Sequence, residues 1–369
     1  MQSPSKKIII NGRFLTQGLT GVQRVASEIV LALDSLLVSK QLPDALQHAQ
    51  WLILTPKNVQ HHLALKAITI EETGSLKGHA WEQIDLFWAA RNHTLLNFCN
   101  SGSVLHPRQF VLIHDACVYR HPEFYGNAYR MLHQSLGKLL AKNSAIGTVS
   151  HFSAREIADI LKLPESAVGV FYNGVNHMHR LKPDAAIVEK LGLQQTPYFL
   201  CIGSLTKNKN VQLAVDALSQ IDNRDIRLVV VGGGNQKIFG SEQRNNAQNV
   251  IFTGRLTDAE IASLLLNTKA FVFPSIYEGF GLPPLEAMAL GCPVLASNAP
   301  AVMEVCTSHA TYFDPTNAKQ LAALMQTCLD NPAAHSGKIE ENKLHAETFA
   351  WEKSARGIAN FIIEKHVTG

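Results

Sequence analysis

Short runs of apolar residues, rich in Ile, Val and Leu, recur along the whole chain and are separated by stretches with helical periodicity. Seven fall in the first half, at 7–10, 51–54, 67–70, 95–98, 110–113, 145–149 and 168–171. Five more follow at 198–202, 228–231, 250–252, 270–273 and 293–296. Helical patterns intervene at 21–38, 125–142, 152–161, 210–220, 257–266, 283–290 and 317–330. A strand with one wet face alternates apolar and polar residues. These runs are mostly continuous apolar stretches rather than alternating ones, as strands of a parallel sheet need when helices cover both faces. Two such series in succession predict an α/β chain of two Rossmann-like domains.

The boundary is expected after Asn173-Gly174-Val175-Asn176, in the polar stretch 176–196, because a second strand series restarts at Tyr198. Domains are therefore placed at 1–175 and 176–348, with a further amphipathic helix within 349–369. A length of 369 residues fits two or three domains of about 150 residues each. Hydrophobic residues are 46% and charged residues 17%, which excludes collagen-like, coiled-coil and disordered classes. No apolar run approaches the roughly 18 residues that span a bilayer. Residues 1–7 lead straight into the first run, without the apolar stretch and cleavage site of a signal peptide. The six cysteines form no C-x-x-C pair, so neither a disulfide framework nor a zinc ribbon is expected, and a reducing cytoplasm is the natural location. The net charge of +3 is too small for a nucleic-acid footprint, and no such partner is expected. Residues 1–180 hold 17 basic and 12 acidic side chains, or +5; residues 181–369 hold 16 and 18, or −2. A basic first half suits an anionic membrane or a phosphorylated substrate, and equally an ordinary solvated surface.

Several chemistries lack their motifs. There is no G-x-x-x-x-G-K-[ST], no G-x-S-x-G and no H-E-x-x-H. The run Gly232-Gly233-Gly234-Asn235-Gln236-Lys237 follows a good strand but puts Lys237 where a dinucleotide fingerprint needs its third glycine. Asp-x-Asp is absent. His61-His62 and His177-x-His179 are spaced like ligand pairs but have no carboxylate or cysteine nearby. They are expected on the surface, and no metal site is predicted.

The most informative stretch is 273–296. A buried strand is expected to end at Phe273, and a glycine-rich turn, Glu278-Gly279-Phe280-Gly281-Leu282, follows it. Pro283 and Pro284 open a helix, Glu286 is expected in its first turn, and Gly291 closes it. Glu278 and Glu286 then sit at the carboxyl edge of a parallel sheet, where open α/β folds bind ligands. Gly279 and Gly281 let backbone N–H groups approach phosphate or sugar oxygens. Two carboxylates accept hydrogen bonds and donate none, which suits a polyhydroxylated partner such as ribose or hexose.

This stretch resembles the signature of the retaining glycosyltransferases of family 4, which have the GT-B fold: two glutamates separated by seven residues, here Glu278 and Glu286. The likeness extends over nearly the whole chain and is most specific at 273–297. It implies a GT-B architecture, with two Rossmann-like domains facing each other across a cleft and a hinge at 174–196. It also implies that Glu278 contacts donor-sugar hydroxyls and that Glu286 binds the nucleotide ribose, with Gly279, Phe280, Gly281 and Leu282 lining the donor. Gly18-Leu19-Thr20-Gly21 resembles the family's glycine loop, and places Gly21 near the donor. His114, in His114-Asp115, resembles the active-site His beside the transferred sugar. In Gly203-Ser204-Leu205-Thr206-Lys207-Asn208-Lys209-Asn210, Lys209 matches the lysine that neutralises the donor diphosphate. The arginine expected beside it is missing, since Ser204 and Asn208 stand where one is usual. Lys207 could add a point charge but not a bidentate clamp. Arg255 resembles a position near the nucleotide base. Phe349 and Trp351 resemble the aromatic start of the last helix, which crosses back to the first domain.

The activity implied is metal-independent transfer of a hexose from a nucleotide-diphosphate sugar to a hydroxyl acceptor with retained configuration, without a cofactor. The opening Asn11-Gly12-Arg13-Phe14-Leu15 and the His114 to Glu123 region are similar to bacterial polysaccharide enzymes, many of them mannosyltransferases. GDP-mannose is therefore the donor implied first and UDP-sugars next, with a glycan or lipid-linked glycan as acceptor in surface polysaccharide or lipopolysaccharide synthesis. Another GT-B sugar-nucleotide enzyme such as an epimerase, and a non-catalytic sugar-nucleotide-binding protein, are the alternatives. The 125–142 pattern has Tyr125, Tyr129, Leu132, Leu136, Leu139 and Leu140 at helical spacing among Arg130, Lys138 and Lys142. Such a helix either packs on its own sheet or lies on the inner face of an anionic membrane.

Overall fold

The computed structural model describes residues 7–222, 225–233, 249–331 and 338–366. Gly234, Asn235, Gln236 and Lys237, the far end of the incomplete fingerprint, lie outside them. The chain divides into two compact units: Met1–Gly174 with Ala350–Gly369, and Val175–Phe349.

Unit 1 contains seven strands: β1 (Ile8–Asn11), β2 (Trp51–Thr55), β3 (Thr69–Glu72), β4 (Thr94–Asn97), β5 (Gln109–Leu112), β6 (Ser144–Thr148) and β7 (Val168–Val170). Their order is β3-β2-β1-β4-β5-β6-β7, and every pair is parallel. β1, β2, β4 and β5 are buried along their whole length, which is why their sequences do not alternate. β3 is exposed throughout, as an edge strand can be, and lies two residues beyond the 67–70 run. The helices Gly21–Val38 and Trp351–His366 pack against one another within this unit, and Trp351, Ile358 and Ile362 are buried.

Unit 2 contains β8 (Tyr198–Ile202), β9 (Arg227–Val231), β10 (Val250–Gly254), β11 (Phe271–Phe273), β12 (Val294–Ser297) and β13 (Thr311–Phe313). Their order is β10-β9-β8-β11-β12-β13, again all parallel. Read from β8, this is the dinucleotide-type order 3-2-1-4-5-6, whose direction reverses between β8 and β11. The core beneath joins Phe199, Leu228 and Val272 from the strands to Val215 and Met325 from the helices Val211–Leu218 and Ala318–Asp330. All six cysteines are free thiols.

Several details differ from expectation. The 176–196 stretch is not a bare linker. It holds a 3-10 turn at Asn176–Arg180 and the helix Ala186–Lys190, and it buries Met178, Ile187 and Leu193 within unit 2. The polar 331–348 region contains the helix Ile339–Glu347, which buries only Asn342 and Ala346. β13 and the helix Pro300–Cys306 are further elements not read from the sequence.

Candidate functional site

In a doubly wound sheet, ligands bind beyond the carboxyl ends of the strands where the strand order reverses, because the flanking loops diverge there and leave a crevice. In unit 2 this point lies between β8 and β11. The loop after β8 carries Lys209, the last residue of the 3-10 turn Lys207–Lys209. The loop after β11 carries Glu278. Asn210, in the left-handed conformation, donates from its side chain to the carbonyls of Pro274 (3.2 Å) and Pro315 (2.8 Å). Ile276 N–H donates to the Asn208 carbonyl at 2.8 Å. The two loops are thus knit by hydrogen bonds, and their side chains meet. Lys209 Nζ lies 2.6 Å from Glu278 Oε1, with both side chains partly buried.

Gly281 caps the next helix, Leu282–Ala289, with φ +101°, a conformation that only glycine adopts without strain. A Cβ at Gly281 would also stand 3.3 Å from Val302 Cγ2. Phe280 is buried and meets Phe349 edge-on at 6.0 Å, which fixes the turn. Two corrections follow. Glu286 is the fifth residue of this helix rather than part of its first turn. Pro283 and Pro284 occupy its second and third positions and carry no N–H, so its N-terminus offers fewer donors to an anion. The helix Gly21–Val38 begins at Gly21, and Thr20 gives it no side-chain cap. It keeps its first-turn N–H groups.

Glu286 is not isolated. His177 Nε2 lies 3.0 Å from its Oε1. His177 is buried, against the expectation of a surface residue, whereas His179 is exposed. His61 Nε2 donates to the Gln17 carbonyl at 2.7 Å, and His62 is exposed. Among the described residues, no group of three or more His, Cys, Asp or Glu is arranged to hold a metal ion.

Arg255 follows β10, is exposed, and makes no ion pair among the described residues. It approaches the loop after β9, since a Cβ at Gly233 would lie 3.3 Å from its Nε. The adjoining Gly232 lies so close to the loop after β8 that a Cβ there would stand 2.1 Å from the Gly203 carbonyl oxygen.

In unit 1, His114 follows β5 and is buried. Its backbone N–H donates to Asn100 Oδ1 at 2.7 Å, and its Nε2 is 2.7 Å from the Phe98 carbonyl. A carbonyl only accepts, so Nε2 carries the hydrogen. Burial lowers the imidazole pKa to about 4, outweighing the opposing effect of the Phe98 carbonyl. At neutral pH His114 is an uncharged donor. Sequence reasoning did not single out the network at the ends of β1 and β4. There the fully buried Glu82 accepts from Asn11 (2.8 Å) and Ser101 (2.7 Å), bonds His79 Nδ1 (2.8 Å), and pairs with Arg13 Nε at 3.0 Å. Burial alone would raise its pKa, but His79, Arg13 and the other donors hold it below the usual carboxylate range. Only the Asn11-Gly12-Arg13 opening hinted at this network.

Residues 184–348 match the family described as Glycosyl transferases group 1. With two Rossmann-type sheets, one carrying a lysine and two glutamates in its carboxyl-edge loops and following helix, the chain is a glycosyltransferase. Over 348 residues it is 25% identical to the O-antigen chain mannosyltransferase RfbU of Salmonella typhimurium, covering 89% of this chain and 93% of that protein. Over 256 residues it is 26% identical to O-antigen chain mannosyltransferase B of Escherichia coli, covering 66% and 67%. Among solved structures, Anabaena Alr3699/HepE in complex with UDP and glucose aligns with a TM-score of 0.72 at 17% identity, over 96% and 98% of the two chains. This chain thus matches the glycosyl transferases group 1 family over residues 184–348, and its fold is that of the GT-B enzymes.

Proposed function

We propose that the chain moves a mannosyl group from GDP-mannose to a hydroxyl of a glycan or lipid-linked glycan, with retained configuration and without a metal ion or cofactor, in building a bacterial surface polysaccharide. The Lys209–Glu278 pair at the switch point of unit 2 carries this reading. A cation for a diphosphate and an acceptor-only carboxylate for sugar hydroxyls stand side by side there. The relatives named mannosyltransferases support the choice of sugar. Negative charge develops on the departing diphosphate as the sugar acquires oxocarbenium character. Lys209, Arg255 and the backbone N–H groups near Gly21, Gly279, Phe280, Gly281 and Leu282 are the groups assigned to that charge. Glu286 is assigned to the ribose. His114 is assigned to the transferred sugar as a neutral hydrogen-bonding group. The leaving phosphate is the base that takes the acceptor proton, so no side chain is given the role of nucleophile.

Turnover of radiolabelled GDP-mannose and UDP-sugars with a mixed acceptor panel tests this reading. Acceptor-dependent transfer from GDP-mannose that survives EDTA is expected. Donor conversion without an acceptor would establish an epimerase, and no turnover would establish a binding protein. Activity abolished by EDTA and restored by Mn²⁺ would refute the metal-free mechanism.

A peripheral membrane site on the inner face of the cell membrane is proposed for the helix Asn127–Leu140. Leu136 and Leu140 are buried, as core packing requires, but Tyr129, Met131, Leu132 and Leu139 are exposed, near the basic Arg130, Lys138 and Lys142. No helix among the described residues is long and apolar enough to cross a membrane. Each basic residue near an anionic surface contributes about 1 kcal/mol, so co-sedimentation with anionic vesicles is expected at low salt. Changing Arg130, Lys138 and Lys142 together to Gln is expected to weaken it at least about tenfold. Failure of the wild type to co-sediment would leave the helix with a packing role alone.

A further inference from the structure

Resting on the assignment of Glu286 to the donor ribose, we propose that His177 is a positioning residue that fixes the Glu286 carboxylate for the ribose hydroxyls. Glu286 has one hydrogen-bonding partner among the described residues, His177, with Nε2 to Oε1 at 3.0 Å. The exposures are asymmetric: the His177 side chain is 3% exposed and that of Glu286 is 15% exposed. The imidazole is therefore the more buried partner of the pair, and the carboxylate is the one that keeps some access to solvent.

The chemistry fixes the direction of the bond. An ionised carboxylate only accepts, so Nε2 carries the hydrogen. One N–H occupies one lone pair of Oε1. The remaining lone pairs of Oε1 and both of Oε2 stay available for hydroxyl donors. A glutamate is long and rotates freely about its terminal torsion; tying one oxygen to a fixed donor holds the other in place before a ligand arrives.

The donor itself is held firmly. His177 lies in the 3-10 turn Asn176–Arg180, with Val175 and Met178 buried on either side. Val175 N–H donates to the Phe349 carbonyl at 3.0 Å, and the Phe349 ring meets Phe280 at 6.0 Å. Phe280 belongs to the glycine-rich turn that precedes the Glu286 helix. One cluster therefore anchors both the imidazole and the turn leading to the carboxylate. The segment by which the chain enters unit 2 thus helps to shape the nucleotide end of the site.

Calorimetric titration with GDP, and with UDP as a second probe, tests the proposal on the intact chain. His177→Phe keeps most of the buried volume and removes the N–H, and is expected to weaken nucleotide binding about tenfold. His177→Gln retains an N–H donor and is expected to stay within about threefold of wild type. At saturating donor, kcat is expected to change less than KM in both variants. A double-mutant cycle separates positioning from packing: in a Glu286→Ala background, His177→Phe is expected to add less than about a twofold loss. Wild-type binding by His177→Phe, or the same tenfold loss without Glu286, would overturn the proposal. Thermal melting of each variant identifies one that fails to fold, in which case the Gln variant and its own cycle decide. If Glu286→Ala alone leaves nucleotide affinity unchanged, the ribose assignment fails and the role of His177 falls with it. A loss in Glu286→Ala with none in His177→Phe refutes the role of His177 alone.

Discussion

Glu278→Ala is expected to lower transfer by about a thousandfold, a change of ~4 kcal/mol in the barrier, while free nucleoside diphosphate binds at least as tightly as to the wild type. The two effects have opposite signs because Glu278 faces two partners. It pairs with Lys209 across 2.6 Å, with the two side chains 24% and 14% exposed for Lys209 and Glu278. A diphosphate approaching Lys209 must share that lysine with a carboxylate and tolerate the carboxylate's charge. Removing Glu278 relieves both penalties for the nucleotide but deletes the acceptor for the sugar hydroxyls. Single-turnover kinetics beside calorimetry would measure the two effects separately. A proportional fall in both would mean that Glu278 only orients Lys209 and does not act on the sugar.

The second large effect is on stability. Burial lowers the His114 pKa from 6.5 to about 4. Below pH 6.5 the unfolded chain takes up a proton at this residue that the folded chain refuses until about pH 4. Unit 1 therefore loses stability as the pH falls through that window, by ~3 kcal/mol for this residue, and keeps it in full above pH 7. Hydrogen exchange at the β4 and β5 amides, compared between wild type and His114→Gln across pH 4 to 7, isolates the contribution. His93, His133 and His345 are shifted in the same direction but are common to both proteins. Parallel pH dependences in the two proteins would refute the burial effect at His114.

Strand positions were legible wherever a strand is buried on both faces. The 198–202 run coincides with β8, and the 228–231 and 293–296 runs lie within one residue of β9 and β12. Edges were harder to read. β3 is wholly exposed, and β13 has three residues of which only Phe313 is buried, so neither presents the pattern of a covered strand. The helix Ile339–Glu347 has no apolar face to give it a period. Within the site, Glu278, Glu286 and Lys209 stand out because turn glycines, prolines and strand ends frame them locally. Their partners do not. His177 lies 109 residues from Glu286, and Lys209 lies 69 residues from Glu278. No periodicity or spacing relates such pairs; only the strand order that brings β8 beside β11, and the return of the 176–180 turn to the 282–289 helix, does so.

Unit 1 is assembled from two separate stretches of the chain, with all of unit 2 inserted between them. The Trp351–His366 helix completes its core: Phe361 meets Phe171 at 5.5 Å and Phe110 at 6.2 Å, and Arg356 donates to the Gln41 carbonyl at 2.9 Å. A ribosome translating this message has made the whole of unit 2 before it reaches the residues that close unit 1. Unit 2 can thus bury its core as a continuous nascent segment, while the half made first must wait, its sheet formed but one flank uncovered, until residues 351–366 emerge from the exit tunnel.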